Sequence, residues 1–388
     1  MNTIPLVVHL IYRLDFGGLE TLLAECVNHI DSEKYRHAIV CLTDYTEFSQ
    51  KITRPGVEIF ALNKTPGLGL GTHVRLWQLL RRLRPTILHT YNLSAIEYAF
   101  TAALAGVPIR IHAEHGRGIS DLNGTNRKHN LLRRLLIPCI DCYIPVSADL
   151  RQWLKASIGV PDQKNLMISN GVDTDLYCPS GSSENVRSQH GATAACFVIG
   201  SVGRIQDVKN HAGLIDAFIQ LRAMLPFAKM PLRLTIVGDG PLLPSLKEKI
   251  RLAGIADLVW LPGSRTDIAQ IMRTFSVFAL PSLAEGTPVT VLEAMATGLP
   301  VVASRVGGMP DIVIDNMTGK LIPAADTDAL ASALAHYYHH PVLMAQHGSA
   351  GRQLVAQKNS LKSMLAGYTR LYDTLCATKR AFAKNATS

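Results

Sequence analysis

The sequence contains no long, uninterrupted apolar stretch. Nowhere in its 388 residues do apolar side chains follow one another for the ~20 positions that a membrane-spanning helix needs. The N-terminal run IPLVVHLIYRL is apolar, but it lacks a basic segment before it and a small-residue cleavage site after it. A buried strand explains this run better than a signal peptide does, and we expect a cytoplasmic protein.

Cysteine is scarce and scattered. The seven cysteines, an odd number spread from Cys26 to Cys376, do not resemble a disulfide framework in a chain of this length. Cys139 and Cys142 form a CxxC pair, but no second Cys or His pair follows at the spacing of a zinc site. We therefore interpret these cysteines as structural.

Charge is also limited, and its excess is unevenly spread. Apolar residues make up 47% of the chain and charged residues 18%, which indicates a compact protein, and the length favours two domains. The net charge is +9, yet residues 176–351 are neutral, with 13 Lys/Arg against 13 Asp/Glu. Residues 1–175 hold 19 against 16 and residues 352–388 hold 7 against 1, so the excess lies mostly in the tail.

Two basic segments in the first half mix arginines with leucines at helical spacing, RLWQLLRRLRP (75–85) and RKHNLLRRLLIP (127–138). They are interpreted either as surface helices with solvated basic faces or as a contact with an anionic membrane surface. Nucleic acid is a weaker candidate, because no binding module or interleaving of aromatic with basic residues accompanies the charge.

Short β-branched runs alternate with longer helix-like stretches, which is typical of βαβ units and of a parallel sheet covered on both faces. In the first half we predict strands at 5–11, 37–43, 58–62, 87–91, 109–115 and 142–147. The pattern restarts in the second half, with strands at 195–203, 232–240, 258–263, 277–282, 299–304 and 319–323.

The Ser-, Gly- and Asn-rich segment between the two series predicts a linker. We place an N-terminal domain at 1–178, the linker at 179–194 and a C-terminal domain at 195–362, each an α/β domain with a doubly wound, Rossmann-like parallel sheet. In such sheets ligands bind at the carboxyl ends of the strands, where the strand order reverses. A cleft between two such domains is then the expected site.

Two glycine-containing loops follow predicted strands. Gly17 and Gly18 open a helix near Leu19, where backbone N–H groups could approach a phosphate, although a plain tight turn explains them equally well. In the second half, Gly203-Arg204 and Lys209 follow a strand, and both cations could reach a diphosphate. Solvated loop cations are the alternative there.

The stretch AEGTPVTVLEAMATGLPVVAS (284–304) holds two carboxylates, Glu285 and Glu293. Thr287 is predicted to cap a helix that has Pro288 at its first position and ends before Gly298. Glu285 then lies in the loop and Glu293 inside the helix, among apolar neighbours where an unbonded carboxylate is costly.

Three interpretations of this pair are possible. Glu293 could occupy a surface position or form a structural salt bridge, and two carboxylates could also serve as the acid and base of a glycosidase. Since one lies at the helix mouth and the other deep in the helix, they are better placed to address different parts of one elongated ligand.

These segments together resemble a known family. GRIQDVKN, IVGDGP, LPGSRTDI, PSLAEGTPVTVLEAMATGLPVVAS and GGMPDIV, in this order, resemble the donor-binding domain of the family 4 retaining glycosyltransferases, which have the GT-B architecture. The spacing of Glu285 and Glu293 matches that family's E-x7-E motif. FGGLE, HAEHG, VSADL and SNGVDTDLY extend the resemblance over nearly the whole chain. More narrowly, HLIYRLDFGGLE and IHAEHGR resemble the bacterial sugar transferases of exosortase and exopolysaccharide systems.

The resemblance implies a role for each matching residue. Glu293 would hydrogen-bond the ribose of a nucleotide, Glu285 would hold the donor sugar, and Arg204 and Lys209 would clamp the diphosphate. The other donor-binding positions would be Gly17, Gly18, Gly203, Gly238, Gly263 and Arg265, the last two near the nucleobase, with Gly286, Thr287, Val289 and Thr290 near the diphosphate.

His115 is the candidate for the family's histidine near the donor sugar, because it ends a strand and precedes Gly116. His112, three residues earlier, is the alternative for the same role. The basic tail, 363–388, would form the family's last helix and cross back onto the first domain.

The implied chemistry is hexosyl transfer with retention of configuration. Two cations and helix N–H groups would stabilise the departing diphosphate, so neither a metal nor a cofactor is expected. Asp173 and Asp175 form a DTD, but they lie where the family uses it structurally. The expected partners are a UDP- or GDP-sugar and a glycan or lipid-linked acceptor, with possible contact to the inner membrane surface. A sugar-nucleotide epimerase and a catalytically silent binding subunit are the alternatives.

Overall fold

The chain folds into two compact units. The computed structural model describes residues 4–67, 69–117, 121, 124–183, 186, 189 and 196–385. For residues 382–385 it describes the backbone only. Residues 1–170 and 362–388 form the first unit, and residues 171–361 form the second. Each unit is described separately below.

The first unit is built on a parallel sheet of six strands in the order β3-β2-β1-β4-β5-β6. These strands are β1 (Leu6–Ile11), β2 (Arg36–Cys41), β3 (Glu58–Ala61), β4 (Ile87–Tyr91), β5 (Ile109–Glu114) and β6 (Cys142–Pro145). The helices are α1 (Gly18–His29), α2 (Leu70–Leu83), α3 (Asn92–Ile96), α4 (Tyr98–Leu104), α5 (Arg127–Leu136) and α6 (Ala148–Trp153).

Helices α2, α4 and α5 cover the same face of this sheet. Each of these helices connects a strand to one nearer the β6 edge of the sheet, whereas α1 connects β1 to β2, toward the β3 edge. Because crossovers between parallel strands are right-handed, connections in opposite directions place their helices on opposite faces. On that face, Leu76 and Leu80 of α2 and Tyr98 of α4 pack against Val8 and Leu88. Burying a leucine side chain fully contributes about 1.5–3 kcal/mol, so this face holds α2 and α4 in place.

The opposite face of the sheet is unusually polar. His9 and His89 are fully buried register partners on β1 and β4, and Tyr91 bonds both, with its OH 2.8 Å from His9 Nδ1 and 3.1 Å from His89 Nδ1. A long C-terminal helix, α14 (Leu361–Asn385), covers this face, and its Tyr372 OH lies 3.0 Å from His89 Nδ1. Residue 362 onward thus belongs to the first unit.

The second unit repeats the same strand order, as β12-β11-β10-β7-β8-β9, with every pair parallel. Its strands are β7 (Phe197–Val202), β8 (Leu232–Val237), β9 (Val259–Trp260), β10 (Val277–Leu280), β11 (Val301–Ser304) and β12 (Gly319–Ile322). The helices are α7 (His211–Met224), α8 (Leu243–Leu252), α9 (Ile268–Met272), α10 (Val289–Ala296), α11 (Met309–Ile312), α12 (Thr327–His339) and α13 (Pro341–Lys358).

The predicted α/β class with two doubly wound sheets is confirmed. In both sheets the strand order reverses beside the first strand of the unit, between β1 and β4 and between β7 and β10. Loops that follow these four strands are therefore the places where a ligand is expected.

The first unit ends earlier than the predicted domain limit at 178. Residues 171–178 belong to the second unit because Val172 donates its N–H to Asn359 O at 2.9 Å and Arg273 bonds the carbonyls of Leu176 and Cys178. Of the predicted linker 179–194, residues 184, 185, 187, 188 and 190–194 lie outside the described residues. Within the described part of the chain, no helix is both long and apolar enough to cross a membrane.

Candidate functional site

A lysine and a glutamate meet where the strand order of the second sheet reverses. Lys209 follows β7 and Glu285 follows β10, and Lys209 Nζ donates to Glu285 Oε1 at 2.6 Å. Ser282 Oγ donates to the same oxygen, also at 2.6 Å. The side chains of Lys209 and Glu285 are 19% and 9% exposed, so the pair is only partly screened by water.

Backbone bonds fix the two loops that carry this pair. Leu283 N–H donates to Val208 O at 2.8 Å, which ties the loop after β10 to the loop after β7. On the other side, Gly308 N–H donates to Gly286 O at 3.0 Å, and Gly307, with φ +49°, passes so close to Glu285 that a Cβ would collide with its carbonyl oxygen. The position of Glu285 is thus set by three chain segments.

Three of the predicted glycines lie at neighbouring strand ends. Gly203 N–H donates to Val237 O at 3.0 Å, and Gly238 N–H donates to Gly263 O at 2.9 Å. Gly238 has φ +146°, and a Cβ there would collide with the carbonyl oxygen of Gly203. Glycine is required at 238 both for its backbone angle and for this close approach.

Helix α10 begins at Val289, so the predicted start is wrong by one residue. Pro288 is the residue before the helix, with an extended backbone, and its own side chain makes no capping hydrogen bond. Pro288 has no N–H, and its carbonyl accepts from Val291 at 3.2 Å, so it ends the loop instead of opening the helix. The early N–H groups of a helix, here those of Val289 and Thr290, have no acceptor within the helix.

Glu293 lies one turn into α10 and is 7% exposed, among fully buried neighbours such as Leu292 and Ala294. A surface position is therefore wrong for this residue. Gly286 is partly buried and Thr287 is buried between Glu285 and the helix. The two carboxylates thus stand on either side of the start of α10.

The predicted cations differ in their surroundings. Arg204 is exposed on the loop after β7. Arg265 forms a two-point fork with Asp267, with Nε to Oδ1 at 2.9 Å and Nη2 to Oδ2 at 2.7 Å, and its guanidinium lies over Trp260 at 5.8 Å. This fork lowers the pKa of Asp267 and fixes the Arg265 side chain.

Gly17 and Gly18 lie at the start of α1 in the first unit. Gly17 precedes the helix with an extended backbone (φ −172°), which any residue adopts, so its backbone angle does not require glycine. A Cβ at Gly17 would meet only the carboxylate of Glu20, the end of a flexible side chain that can turn aside, so space does not require glycine there either. Thr21 closes the first turn by donating its N–H to Gly17 O at 3.0 Å.

His115 directly follows β5. Its N–H donates to Asn92 Oδ1 at 2.8 Å, and Asn92 has φ +57° at the end of β4. The ring nitrogen Nε2 is buried and has no hydrogen-bond partner among the described residues. Burial lowers the pKa of His115 to about 4, with Glu114 opposing the shift, so the ring is neutral at pH 7.

His112 is engaged in structural bonds. Its ring is fully buried, with Nδ1 2.9 Å from Thr90 Oγ1 and Nε2 3.3 Å from Glu114 Oε1. Glu114 also accepts from Arg133 Nε at 2.6 Å. Burial alone would raise the pKa of Glu114, but Arg133 and then His112 oppose burial and together outweigh it, so that the pKa is lowered to about 2. Of the two histidines, His115 is the one with an unused ring nitrogen.

Cys142 and the DTD sequence were interpreted above as structural and not as part of a site. Cys142 is buried, and burial raises the pKa of its thiol to about 12. Asp173 Oδ1 accepts from the N–H groups of Asp175 and Leu176 at 2.9 and 3.0 Å, so the DTD forms a turn.

Two family models match the chain and together span most of it. "Glycosyltransferase Family 4" matches residues 16–176, and "Glycosyl transferases group 1" matches residues 196–340. The chain belongs to glycosyltransferase family 4.

Individual relatives agree with this assignment. The putative glycosyltransferase EpsF of Bacillus subtilis is 29% identical over 77% of this chain and 78% of its own. The UDP-Gal:alpha-D-GlcNAc-diphosphoundecaprenol alpha-1,3-galactosyltransferase of Escherichia coli is 28% identical over 89% of this chain and 91% of its own. In fold, this glycosyltransferase resembles the Anabaena protein HepE in complex with UDP-glucose, with a TM-score of 0.81, 21% identity, and coverage of 95% and 100%. The GT-B fold is confirmed.

Several residues that shape the glycosyltransferase's candidate site were not assigned from the sequence. Ser282 ends the strand VFALPS, and its hydroxyl bonds Glu285. Gly307 was recognised only as part of the motif GGMPDIV, although its contact holds Glu285. Asn92 directly follows a strand, a position that could have drawn attention to it.

Proposed function

We propose that this glycosyltransferase is a retaining, hexosyl-type enzyme that moves a sugar from a UDP- or GDP-sugar to a growing glycan or lipid-linked acceptor. The product would be an exopolysaccharide or another cell-surface polysaccharide. The name of the E. coli galactosyltransferase, which includes a sugar linked to diphosphoundecaprenol, supports a lipid-linked acceptor, and the complex of HepE with UDP-glucose supports a nucleotide-diphosphate sugar as the donor.

The observation that carries the proposal is the contact of Lys209 with Glu285 where the sheet order reverses. A donor bound there has its diphosphate beside a cation and the N-terminus of α10. Negative charge develops on the diphosphate as the sugar leaves, and fixed cations and N–H groups stabilise it best where water is limited. Arg204, on the same loop as Lys209, adds a second cation.

The two glutamates would hold opposite ends of the donor. Lys209 and Ser282 both donate to Oε1 of Glu285, so a sugar hydroxyl would be bound through Oε2. Glu293 lies further along α10, on the ribose side of the diphosphate. Neither group transfers a proton in this scheme, and the departing charge is balanced by Lys209 and Arg204 without a metal or cofactor.

His115 would lie beside the donor sugar. Its neutral ring and unpartnered Nε2 suit a hydrogen bond to a sugar hydroxyl or carbonyl oxygen, because a neutral imidazole nitrogen can donate or accept. The enzyme would act in the cytoplasm, at the inner face of the membrane when its acceptor is lipid-linked.

The test is nucleoside diphosphate release by the full-length chain. The protein is incubated with each of a set of UDP- and GDP-sugars, with and without a diphosphopolyprenol-linked sugar acceptor. Release with one donor is expected to require the acceptor, to continue in EDTA, and to give a product that keeps the anomeric configuration. Glu285→Gln and Lys209→Met are each expected to lower kcat/KM by about 10²–10³-fold.

Two control variants test whether a loss of release is specific to the candidate site. Arg251→Met and Glu248→Gln break an exposed ion pair on α8 in the same unit, and they should leave release unchanged. Unchanged turnover in both Glu285→Gln and Lys209→Met would refute the assignment of the site. Conversion of the donor without acceptor would instead indicate an epimerase, and donor binding without any turnover a silent binding subunit.

A further inference from the structure

Two helices of the first unit expose large apolar side chains next to each other. Helix α2 exposes Leu70, Val74 and Trp77 to 75%, 56% and 42%, at a spacing that places them in one stripe. Helix α4 exposes Phe100 and Leu104 to 52% and 64%, one turn apart. The two helices pack together through His73 Nδ1 and Thr101 Oγ1, which lie 2.6 Å apart.

Helix α5 continues this surface on the same face of the sheet. It exposes Leu131 and Leu135 to 55% and 68%, and α4 contacts the turn at 137–139 that follows α5. Of twenty exposed large apolar side chains in the described residues, seven lie on these three helices, which comprise 31 of the 388 residues. Scattered exposed apolar residues are ordinary, but a concentration of this kind marks an interaction surface.

The outer surface of α2, α4 and α5, called the α2–α4–α5 face below, is also basic. The three helices contain no Asp or Glu, although Glu97 precedes α4 and lies beside His73. Among the described residues, none of their exposed basic side chains lies within 4.0 Å of a carboxylate; these are Arg75, Arg81, Arg82, Arg127, Lys128 and Arg134. By contrast, Lys249 and Arg251 of α8 both form ion pairs.

A surface depression on α5 adds a place for an anionic group. It is lined by Arg127, Asn130, Leu131 and Arg134, which combine two guanidinium groups and an amide with an apolar floor. Arg134 is held in place by donating to Ser157 O at 2.6 Å. Guanidinium groups match the geometry of phosphate oxygens.

We propose that the α2–α4–α5 face docks on an anionic lipid bilayer, with Trp77 and Phe100 at the headgroup level and the arginines on lipid phosphates. Aromatic and aliphatic side chains bordered by unpaired basic residues are what an interfacial surface requires. A second copy of the chain is a poorer occupant, because this face would bring its own positive charge against itself. This inference depends on the proposed function in one respect only, namely that the acceptor is linked to a lipid.

The first experiment uses the intrinsic fluorescence of the full chain. Of its three tryptophans, Trp77 is exposed, Trp153 is buried and Trp260 is partly buried against Arg265. Vesicles of phosphatidylcholine with 30 mol% phosphatidylglycerol, in about 0.1 M salt, should shift the Trp77 emission to the blue and sediment the protein. Trp77→Phe should still sediment but lose the shift. Pure phosphatidylcholine vesicles should bind at least about tenfold more weakly, since each basic residue gains from the anionic surface.

Matched variants assign the binding to this face. Arg81→Glu/Arg82→Glu should weaken partitioning to the anionic vesicles by about tenfold or more. Lys229→Glu/Lys247→Glu makes the same change in net charge on exposed positions of the second unit and should leave partitioning unchanged. Trp77→Ala/Phe100→Ala should weaken it as well, whereas Phe227→Ala, which truncates a 95% exposed side chain, should not.

Equal binding by Arg81→Glu/Arg82→Glu and by its control, or no binding to anionic vesicles at all, would overturn the proposal. A concentration-dependent dimer in sedimentation velocity that Trp77→Ala/Phe100→Ala abolishes would assign the face to a second copy instead. Sugar transfer to a water-soluble acceptor is measured in parallel and should not change in Arg81→Glu/Arg82→Glu. Transfer without vesicle binding refutes the docking face alone, and vesicle binding without transfer refutes the proposed function alone.

Discussion

Asn92 holds the backbone of His115, with Oδ1 accepting from the His115 N–H at 2.8 Å across two neighbouring strand ends. Asn92 itself has φ +57°, a left-handed conformation that asparagine and glycine adopt more readily than other residues. One residue therefore supplies both the turn after β4 and the anchor for the candidate histidine after β5.

This relationship predicts a graded response to substitution at Asn92. Asn92→Gly keeps the left-handed turn but removes the acceptor, and it should lower kcat by roughly tenfold to a hundredfold by releasing His115. Asn92→Asp keeps an acceptor oxygen and should retain most of the activity. Asn92→Ala loses both features, so it should also lower the free energy of unfolding by about 1–3 kcal/mol. Initial rates and thermal unfolding of the three variants are the measurement, and equal kcat in the Gly and Asp variants would contradict the role of the bond.

The pair Lys209 and Glu285 predicts that stability and activity can be separated. Lys209→Met leaves a 9% exposed carboxylate without its cation and should lower the free energy of unfolding by about 1–3 kcal/mol. The exchanged variant Lys209→Glu/Glu285→Lys restores an ion pair, so it should recover most of that stability.

Activity should not return in the exchanged variant, because the cation would then face the sugar and the carboxylate the diphosphate. Chemical denaturation and nucleoside diphosphate release, measured on the same preparations, distinguish the two effects. Recovery of turnover in the exchanged variant would show that the pair acts only as a structural contact.

The buried group of His112, Glu114 and Arg133 predicts a specific pH dependence of stability. The pKa of Glu114 is about 2 in the folded chain, below the ~4.3 of an unfolded glutamate. A lowered folded pKa contributes stability that is present above about pH 4.3 and is lost as the pH falls toward 2. Burial is the largest influence on this pKa, so without Arg133 we expect burial to outweigh His112, to raise the pKa of Glu114 and to reverse the sign of the dependence.

Arg133→Met should therefore lose about 3–5 kcal/mol at pH 7, because it leaves a fully buried carboxylate without its cation. It should lose less at pH 5, where Glu114 is more easily protonated. Denaturation at pH 5, 6, 7 and 8 measures this trend. Arg134→Met, at the exposed neighbouring position, should change stability by less than about 1 kcal/mol at each pH, and parallel pH profiles for the two variants would contradict the argument.

The sequence predicted the strands better than it predicted the contacts between them. Each of the twelve predicted strands overlaps an observed strand, because short β-branched runs between helix-like segments are a local signal, as in VFALPS for β10. Helix α10 was misplaced by one residue, since Pro288 suits both the position before a helix and its first turn.

Contacts between residues far apart in the sequence could not be predicted, because the sequence patterns used here are local. Lys209 and Glu285 were each predicted as site residues, but their 2.6 Å bond joins positions 76 residues apart and depends on the pairing of β7 with β10. His9 lies in β1, and only the register of β1 with β4 brings it to His89 and Tyr91. Arg133, in a segment predicted as a basic helix face, is buried against Glu114.

Gly307 predicts how a backbone contact controls the donor site. In Gly307→Ala, the alanine must adopt a φ near +49°, and its Cβ also collides with the carbonyl oxygen of Glu285. Gly254→Ala is the matched control, because Gly254 has φ +62° in the same unit but no atom within 4 Å of the added carbon. The control should cost about 1 kcal/mol of stability from its backbone angle alone and should leave donor affinity unchanged. Gly307→Ala should cost more and should also weaken donor binding by displacing Glu285, measured by calorimetric titration with the donor that the release screen identifies. Equal donor affinity in the two alanine variants would show that Gly307 does not position Glu285.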